Sequence, residues 1–138
     1  MDTNILNVWD LDLKQNSFIL ILWKRNSGKT ILTRNIIYEL IKNNDFDFIL
    51  LFSETAQFNK DYNFINEKYI FKFWELNKKI WKLLKIQEER LKNNKIKHGI
   101  IILDDVILNK KNNILNDLWT MARHYKLTVI ISVQYAKN

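Results

Sequence analysis

Short apolar runs alternate with longer amphipathic stretches along this chain. The apolar runs are Phe18–Leu22, Phe46–Phe52, Gly99–Leu103 and Leu127–Val133. Each run is short and nearly continuous, which is typical of strands in a parallel sheet, and Phe18–Leu22 in particular is predicted to be buried on both faces. The pattern therefore predicts four strands at the centre of the molecule.

Between these runs, apolar residues recur at helical spacing. The first amphipathic stretch runs from Lys29 to about Lys42, the second from about Trp74 to Asn93, and the third from Ile114 to about His124. Residues 56–73 have a mixed pattern and are predicted to be irregular with short elements. Strands that alternate with helices indicate βαβ units, a mainly parallel sheet and the α/β fold class.

Length and composition narrow the class of protein further. A chain of 138 residues suffices for one domain, 1–138, with a hydrophobic core of its own. Cysteine is absent, which excludes a disulfide framework, a thiolate metal site and a cysteine nucleophile. No apolar run approaches the roughly 20 residues that span a bilayer. The N-terminus is acidic and carries no secretion signal, so we expect an intracellular protein with no membrane partner.

Basic charge is concentrated in one segment. The formal net charge is +7, and Lys72–His98 holds nine Lys or Arg residues and three Glu. Such a segment either attracts a polyanion or forms a solvated lysine-rich helix face. The five tryptophans are interpreted as core and packing residues, with base stacking by Trp74 or Trp81 as the minor alternative.

A phosphate-binding loop is predicted between the first strand and the first helix, where the sequence reads Ser-Gly-Lys-Thr. Backbone N–H groups and the positive end of a helix dipole bind phosphates in such loops. Lys29 is expected to reach the β- and γ-phosphates, and the Thr30 hydroxyl to ligate Mg²⁺. The residues expected to line the nucleotide are Asn26, Ser27, Gly28, Lys29, Thr30 and Ile31.

The loop departs from the pattern G-x-x-x-x-G-K-[ST] at its first glycine. Trp23 occupies that position, and Asn26 stands where many such loops carry another glycine. Tryptophan is expected to take up space there and to lose the backbone freedom of glycine, whereas asparagine tolerates left-handed dihedrals. Nucleotide binding by ancestry and a chance match to the pattern both stay open on these residues alone.

Polar residues at the ends of the other strands complete the candidate site. The carboxyl ends of parallel strands meet at one edge of a sheet, where ligands bind, and Thr30, Glu54, Asp104, Asp105 and Gln134 fall at or near that edge. Asp104 is predicted to hold Mg²⁺ and Asp105 to orient or deprotonate the attacking water. Gln134 is either a sensor of the γ-phosphate or a polar residue that ends a strand.

Two further residues precede the last strand. Arg123 is a candidate for an arginine supplied to a neighbouring subunit's phosphates, with a carboxylate or a DNA phosphate as the alternative partner. His124 is interpreted as structural. With only two histidines in the chain, no histidine metal site is predicted.

Three blocks, SGKT, ILDDV and ARHYKLTVIISVQ, resemble the packaging ATPases of large double-stranded DNA viruses. These are poxvirus-type, FtsK/HerA-like P-loop ATPases, which also occur in virophages. The resemblance implies a three-layer P-loop NTPase sandwich of the additional-strand type, with the Gln134 strand between the Lys29 strand and the Asp104 strand. Family members are commonly longer, so we expect a short or truncated version that leaves the Phe18–Leu22 strand exposed on one side.

The same resemblance implies what the protein binds and where it works. It implies ATP and Mg²⁺ as cofactors, double-stranded DNA as the partner, a homo-oligomeric ring and possible contacts with viral capsid proteins. It also implies the host cytoplasm, a viral factory or the virion as the location.

Three hypotheses for function follow. The first is a Mg²⁺-dependent ATPase that packages or translocates DNA, with Lys29, Asp105 and Gln134 as catalytic residues. The second is a catalytically inactive P-loop domain that binds nucleic acid or a partner ATPase through Lys72–His98. The third is another P-loop enzyme, such as a small kinase, which the Asp-Asp and Gln pattern favours less.

Overall fold

The computed structural model describes residues 14–24, 29–56, 60–106 and 113–135. The strands are β1 (Phe18–Lys24), β2 (Phe48–Phe52), β3 (Ile70–Phe71), β4 (Gly99–Val106) and β5 (Leu127–Tyr135). The helices are α1 (Lys29–Asn43), α2 (Leu76–Lys92) and α3 (Asn113–Met121). Single 3₁₀ turns at Glu67–Tyr69 and Phe73–Glu75 lie before and after β3. The irregular segment predicted over 56–73 thus contains one 3₁₀ turn, the short strand β3 and the start of another turn.

The five strands form one parallel sheet in the order β1-β5-β4-β2-β3. The strand that carries Gln134 lies between the strand that leads to Lys29 and the strand that carries Asp104, as the resemblance implied. The two-residue strand β3 extends the sheet beyond β2. Because every strand points the same way, their carboxyl ends share one edge of the sheet.

Helices cover both faces of the sheet and bury a separate apolar cluster on each. On one face α1 and the segment around Tyr62 pack on alternate strand residues, and on the other α2 and α3 pack on the intervening ones. The buried residues of the α1 face include Ile36, Ile37, Leu40, Ile100, Ile102 and Ile130. Those of the α2 and α3 face include Ile80, Leu84, Ile101, Leu103, Leu118 and Val129. The result is a three-layer sandwich.

The prediction that Phe18–Leu22 is buried on both faces was wrong. Leu20 is 54% exposed and Leu22 is 62% exposed, whereas Ile21 is buried. In the described part of the chain β1 pairs only with β5, so it lies at the edge of the sheet. The α3 layer reaches Phe18, whose ring meets Trp119 edge-on at 4.6 Å, and leaves the two leucines open.

Three tryptophans lie at the surface, contrary to the interpretation of the tryptophans as core residues. Trp74 is 81% exposed, Trp119 65% and Trp81 44%. Trp81 lies on the side of α2 opposite the buried isoleucine and leucines, whereas Trp119 on α3 packs against Phe18 at the edge of the sheet. Helical spacing alone does not separate an apolar inner stripe from a tryptophan on the outer face.

One glycine in the sheet is required by a close approach. Gly99 lies opposite Phe48 in the pairing of β4 with β2, and a Cβ at this position would overlap the Phe48 ring. The Arg90 guanidinium lies over the same ring at 5.9 Å. A side chain at residue 99 would therefore displace the aromatic ring that α2 packs against.

Candidate active site

The carboxylate of Asp104 is the centre of a buried polar cluster at the carboxyl edge of the sheet. Asp104 is only 3% exposed and accepts hydrogen bonds from three hydroxyl groups. Ser53 Oγ donates to Oδ2 at 3.1 Å, while Tyr62 Oη and Ser132 Oγ donate to Oδ1 at 3.1 and 3.3 Å. These donors come from the end of β2, the segment that follows it, and β5. Three separate elements therefore orient one carboxylate.

Tyr62 connects this carboxylate to the first turns of α1. Burial of the phenol, together with the nearby Asp104 charge, raises the pKa of Tyr62 above its ordinary value, so the hydroxyl keeps its proton and donates it. The side chain of Thr33, which is buried on α1, hydrogen-bonds to the same phenol. Thr33 lies about one turn after Thr30. The start of α1 and the end of β4 thus approach each other on the α1 side of the sheet.

A bulge in β4 turns Asp105 away from the direction of Asp104. Leu103 pairs with Ile131 and Val106 with Val133, which leaves one extra residue in β4. Asp105 absorbs it with φ 64°, and its N–H donates to Ser132 Oγ at 2.9 Å. The prediction that β4 ends before the two aspartates was wrong, because the bulge lets the strand continue to Val106. Asp105 is partly exposed, whereas its neighbour is buried.

The predicted phosphate loop connects β1 to α1 at the same edge. Asn26, Ser27 and Gly28 lie outside the described residues. The backbone of Lys29 begins α1, with Thr30 in its first turn, and the side chains of both lie outside the described part of the chain. Ile31 is 66% exposed on the first turn of α1.

Trp23 belongs to β1 and not to the loop that follows it. Its backbone pairs in register with Gln134 of β5, and it has no positive φ. The indole is half-buried. The tryptophan therefore occupies an ordinary extended position, where the backbone freedom of glycine is not needed.

Gln134 and Glu54, two other residues of the predicted site, lie on different elements. Gln134 lies in β5 two residues after Ser132, and its side chain is outside the described part. The carboxylate of Glu54 accepts the N–H of Phe73 at 2.9 Å and lies 4.0 Å from Lys72, so it is engaged on the segment before α2.

Arg123 and His124 lie where the strands begin, and Asp104 lies near their carboxyl ends. Both are exposed in the turn before β5, where strands begin. Arg123 borders a surface cavity of about 450 Å³ together with Ser17 and Trp119. Within one chain, Arg123 is therefore separated from Asp104 by the length of a strand.

The residues that orient Asp104 were not predicted from the sequence. Ser132 interrupts the apolar run of β5 between Val129 and Val133, and Thr33 interrupts the buried face of α1; both were visible signals. Ser53 directly follows a strand, and its Oγ also accepts the N–H groups of Thr55 and Ala56. Tyr62 gave no signal, because it lies in an irregular segment and 42 positions before its partner.

The chemistry of the cluster suits a hard divalent cation. Carboxylate and hydroxyl oxygens are the ligands that Mg²⁺ prefers, usually alongside water and phosphate oxygens. No group of three or more His, Cys, Asp or Glu residues that could hold a metal occurs in the described ranges. Within the cluster, Asp104 is the residue whose carboxylate has the chemistry of a Mg²⁺ ligand. No helix in the described part of the chain is long and apolar enough to cross a bilayer.

Comparisons with known proteins identify a family and a similar fold. A family model described as the poxvirus A32 protein matches residues 9–138. No curated protein matches the chain. Among solved structures the chain is similar to the pCW3 conjugation coupling protein TcpA, in a monomer form with ATPγS. The TM-score is 0.53, with 16% identity, over 90% of this chain and 44% of that one.

The sheet topology and the likeness to TcpA confirm the predicted α/β fold class, a three-layer sandwich with a mainly parallel sheet. The chain spans less than half the length of this neighbour. At 16% identity the likeness concerns the fold alone.

Proposed function

This chain belongs to the poxvirus A32 protein family, and we propose that it binds and hydrolyses ATP to move double-stranded DNA into a viral capsid. The observation that carries the proposal is the hydrogen-bonded path from Thr33 on α1 through Tyr62 to Asp104. This path brings the start of the phosphate-loop helix and the strand-end carboxylate to one side of the sheet. The neighbour TcpA, which was solved with ATPγS, supports a nucleotide at such a site.

The roles of the residues follow from their chemistry and position. Lys29 binds the β- and γ-phosphates, and the backbone of residues 26–31 surrounds them. Thr30 and Asp104 would hold Mg²⁺, and the bound ion would neutralise charge that develops on the phosphates. Asp105, at the more open position of the bulge, orients the attacking water, and Gln134 contacts the γ-phosphate. Ser53, Tyr62 and Ser132 keep the buried carboxylate oriented.

A homo-oligomeric ring fits the position of Arg123. This residue is exposed at the amino edge of the sheet and cannot reach the phosphates of its own chain. A neighbouring subunit could receive it, and an arginine supplied in this way stabilises charge in phosphoryl transfer. DNA and capsid proteins are the partners that we propose for such a ring.

Nucleotide titration tests the phosphate site. Lys29→Ala is expected to weaken binding of ATP with Mg²⁺ about 10- to 100-fold, because hydrogen bonds to charged groups contribute about 1.5–3 kcal/mol. Lys42→Ala, at the exposed last turn of the same helix, is the matched control and should bind like wild type. Equal affinity in wild type and Lys29→Ala would remove the proposed site.

Hydrolysis and the altered loop are tested separately. If the Trp23 indole at the end of β1 only crowds the space beside the loop, Trp23→Gly should bind ATP more tightly and release phosphate faster than wild type. Binding without phosphate release, in wild type and in Trp23→Gly alike, would favour the second hypothesis, an inactive P-loop domain.

A further inference from the structure

The outward side of α2 and of the turn before it carries two tryptophans and three lysines. We call this surface the α2 outer face and define it by Trp74, Lys78, Trp81, Lys82 and Lys85. At 100° per residue these positions fall within about 100° of arc around the helix. The buried positions of α2, which pack on the sheet, lie on the opposite side: Leu76, Ile80, Leu83, Leu84 and Gln87. The α2 outer face is therefore presented to solvent.

Its tryptophans are exposed to an unusual degree. Trp74 is 81% exposed and Trp81 is 44% exposed. A tryptophan normally buries most of its large ring, so an exposed pair on one side of a helix indicates a contact surface. Seven positions separate the two, which corresponds to about 10 Å along a helix axis.

The lysines between them are not neutralised within the described part of the chain. Lys78, Lys82 and Lys85 are exposed and form no ion pair there. Other basic residues nearby are engaged: Lys79 lies over the Phe71 ring at 4.8 Å, and Lys92 lies 3.8 Å from Glu88. Three like charges on adjacent turns repel one another, and an anionic ligand relieves that repulsion.

We propose that the α2 outer face binds single-stranded nucleic acid. Its phosphates would lie along Lys78, Lys82 and Lys85, and unpaired bases would stack on Trp74 and Trp81. Aromatic side chains interleaved with cations are the combination by which proteins hold unpaired strands without reading their sequence. This surface lies on the sheet face opposite α1, so the inference goes beyond ATP binding and does not depend on it.

Two other occupants fit the face less well. A membrane surface requires a wide apolar face, and the apolar residues of α2 are buried against the sheet. A second copy of the chain would bring three lysines against three lysines. Single-stranded nucleic acid satisfies both the charge and the exposed rings.

Fluorescence anisotropy with labelled dT20 and rU20 tests the proposal on the full chain. Three phosphate contacts predict that a plot of log affinity against log salt has a slope of about −2, or about 20-fold weaker binding between 50 and 200 mM salt. Trp74→Ala is expected to weaken binding about 5- to 100-fold, because a stacked base contributes that range. Trp119→Ala, which removes an exposed tryptophan on α3, is the control and should bind like wild type.

Charge reversal gives an independent arm. The triple variant Lys78→Glu, Lys82→Glu, Lys85→Glu should abolish binding at 100 mM salt. A matched triple reversal at the exposed residues Lys42, Lys60 and Lys68 changes the net charge equally and should retain most of the affinity. Equal losses in the two triple variants would overturn the proposal in favour of general charge attraction.

The remaining arms separate the sources of the ligand. Similar affinity for dT20 and rU20 supports recognition of unpaired bases. Tighter binding of either single strand than of a 20-base-pair duplex supports it as well. Tighter binding of the duplex than of dT20 or rU20 would overturn the proposal. The proposal would also be overturned if Trp74→Ala lost binding to phosphatidylserine vesicles while its affinity for dT20 stayed at the wild-type value. Lys29→Ala should bind dT20 like wild type, so a failure of the ATP site is distinguishable from a failure here.

Discussion

At the scale of single residues, the Asp104 carboxylate is buried and held by several hydrogen bonds. Three hydroxyl donors from β2, β5 and the segment between β2 and β3 hold it in place. Ser53 is itself fixed by two backbone N–H donors, and Ser132 by the N–H of Asp105. Such a network leaves little rotational freedom to the carboxylate, which is the condition for holding a metal ion in a defined position.

Removal of the Tyr62 hydroxyl should destabilise the fold in a pH-dependent way. Tyr62→Phe takes a donor from a buried carboxylate, so we expect a loss of about 1–3 kcal/mol in the free energy of unfolding at pH 7. Above pH 10 the unfolded tyrosine loses its proton while the folded one keeps it, because its pKa is raised. Above pH 10 the free energy of unfolding of wild type should therefore fall by about 1.4 kcal/mol per pH unit, and Tyr62→Phe should not show this fall.

Urea unfolding at pH 8, 10 and 11 measures this difference. Tyr38→Phe, at a 46% exposed tyrosine, is the control for removal of a hydroxyl. A gap between wild type and Tyr62→Phe that stays constant up to pH 11 would contradict the assignment of a raised pKa.

The left-handed conformation of Asp105 allows its charge and its backbone role to be separated. Asparagine adopts φ near 64° readily and alanine does not, so Asp105→Ala should lose about 1 kcal/mol of stability and Asp105→Asn much less. If Asp105 orients the attacking water, both variants should hydrolyse ATP about 100-fold or more slowly. Thermal unfolding and phosphate release measure the two effects. Hydrolysis at the wild-type rate in Asp105→Asn would exclude this role.

At the scale of elements, two helices end in the same motif without a glycine. After α2, Lys95 N donates to Arg90 O at 2.9 Å and Asn94 has φ 52°. In the turn after α3, Leu127 N donates to Ala122 O at 2.8 Å and Lys126 has φ 61°. These are Schellman-type ends, in which the left-handed residue is usually glycine. With only two glycines in the chain, asparagine and lysine take this position.

Replacement of the lysine by glycine should stabilise the protein. Lys126 has no side-chain feature that favours the left-handed region, so Lys126→Gly relieves about 1–2 kcal/mol of steric cost against a smaller loss in backbone entropy. Urea unfolding should therefore show a free energy of unfolding about 0.5–1 kcal/mol higher for Lys126→Gly than for wild type. Asn94→Gly should gain less, since asparagine already tolerates these dihedrals. A loss of stability in Lys126→Gly would show that the left-handed turn is not strained.

At the scale of the whole molecule, the two edges of the sheet differ in character. Among the strands of the described residues, one edge of the sheet is the two-residue strand β3 and the other is the seven-residue strand β1. Next to β1, Leu20, Leu22 and Trp119 are all more than half exposed. A long edge strand with an apolar surface beside it is a site where another chain can add to the sheet.

We expect self-association through this edge. A lysine at an edge strand opposes pairing by charge, so Leu22→Lys should abolish a rise of the sedimentation coefficient with protein concentration. Leu32→Lys makes the same change at a 40% exposed leucine on α1 and should associate like wild type. Equal association in wild type and Leu22→Lys would show that the β1 edge is not the contact.

The sequence by itself determined the type and the approximate position of the local elements. Continuous apolar runs predicted four of the five strands, helical spacing predicted three helices, and Asp104 was identified because a strand leads directly to it. These properties depend on neighbours along the chain. The strand order came from the motifs, through the resemblance that they carry, and the sheet has that order.

Only the tertiary structure decided which side chains meet and which stay exposed. The contact of Tyr62 with Asp104 joins positions 42 residues apart, and no local pattern encodes it. Whether a side of β1 or α2 is covered depends on how far the neighbouring layers reach, and no local pattern gives that extent. For this reason Leu22 and Trp74 were expected inside, whereas both lie at the surface. Burial is a property of the packed layers, whereas secondary structure is mostly a property of the segment.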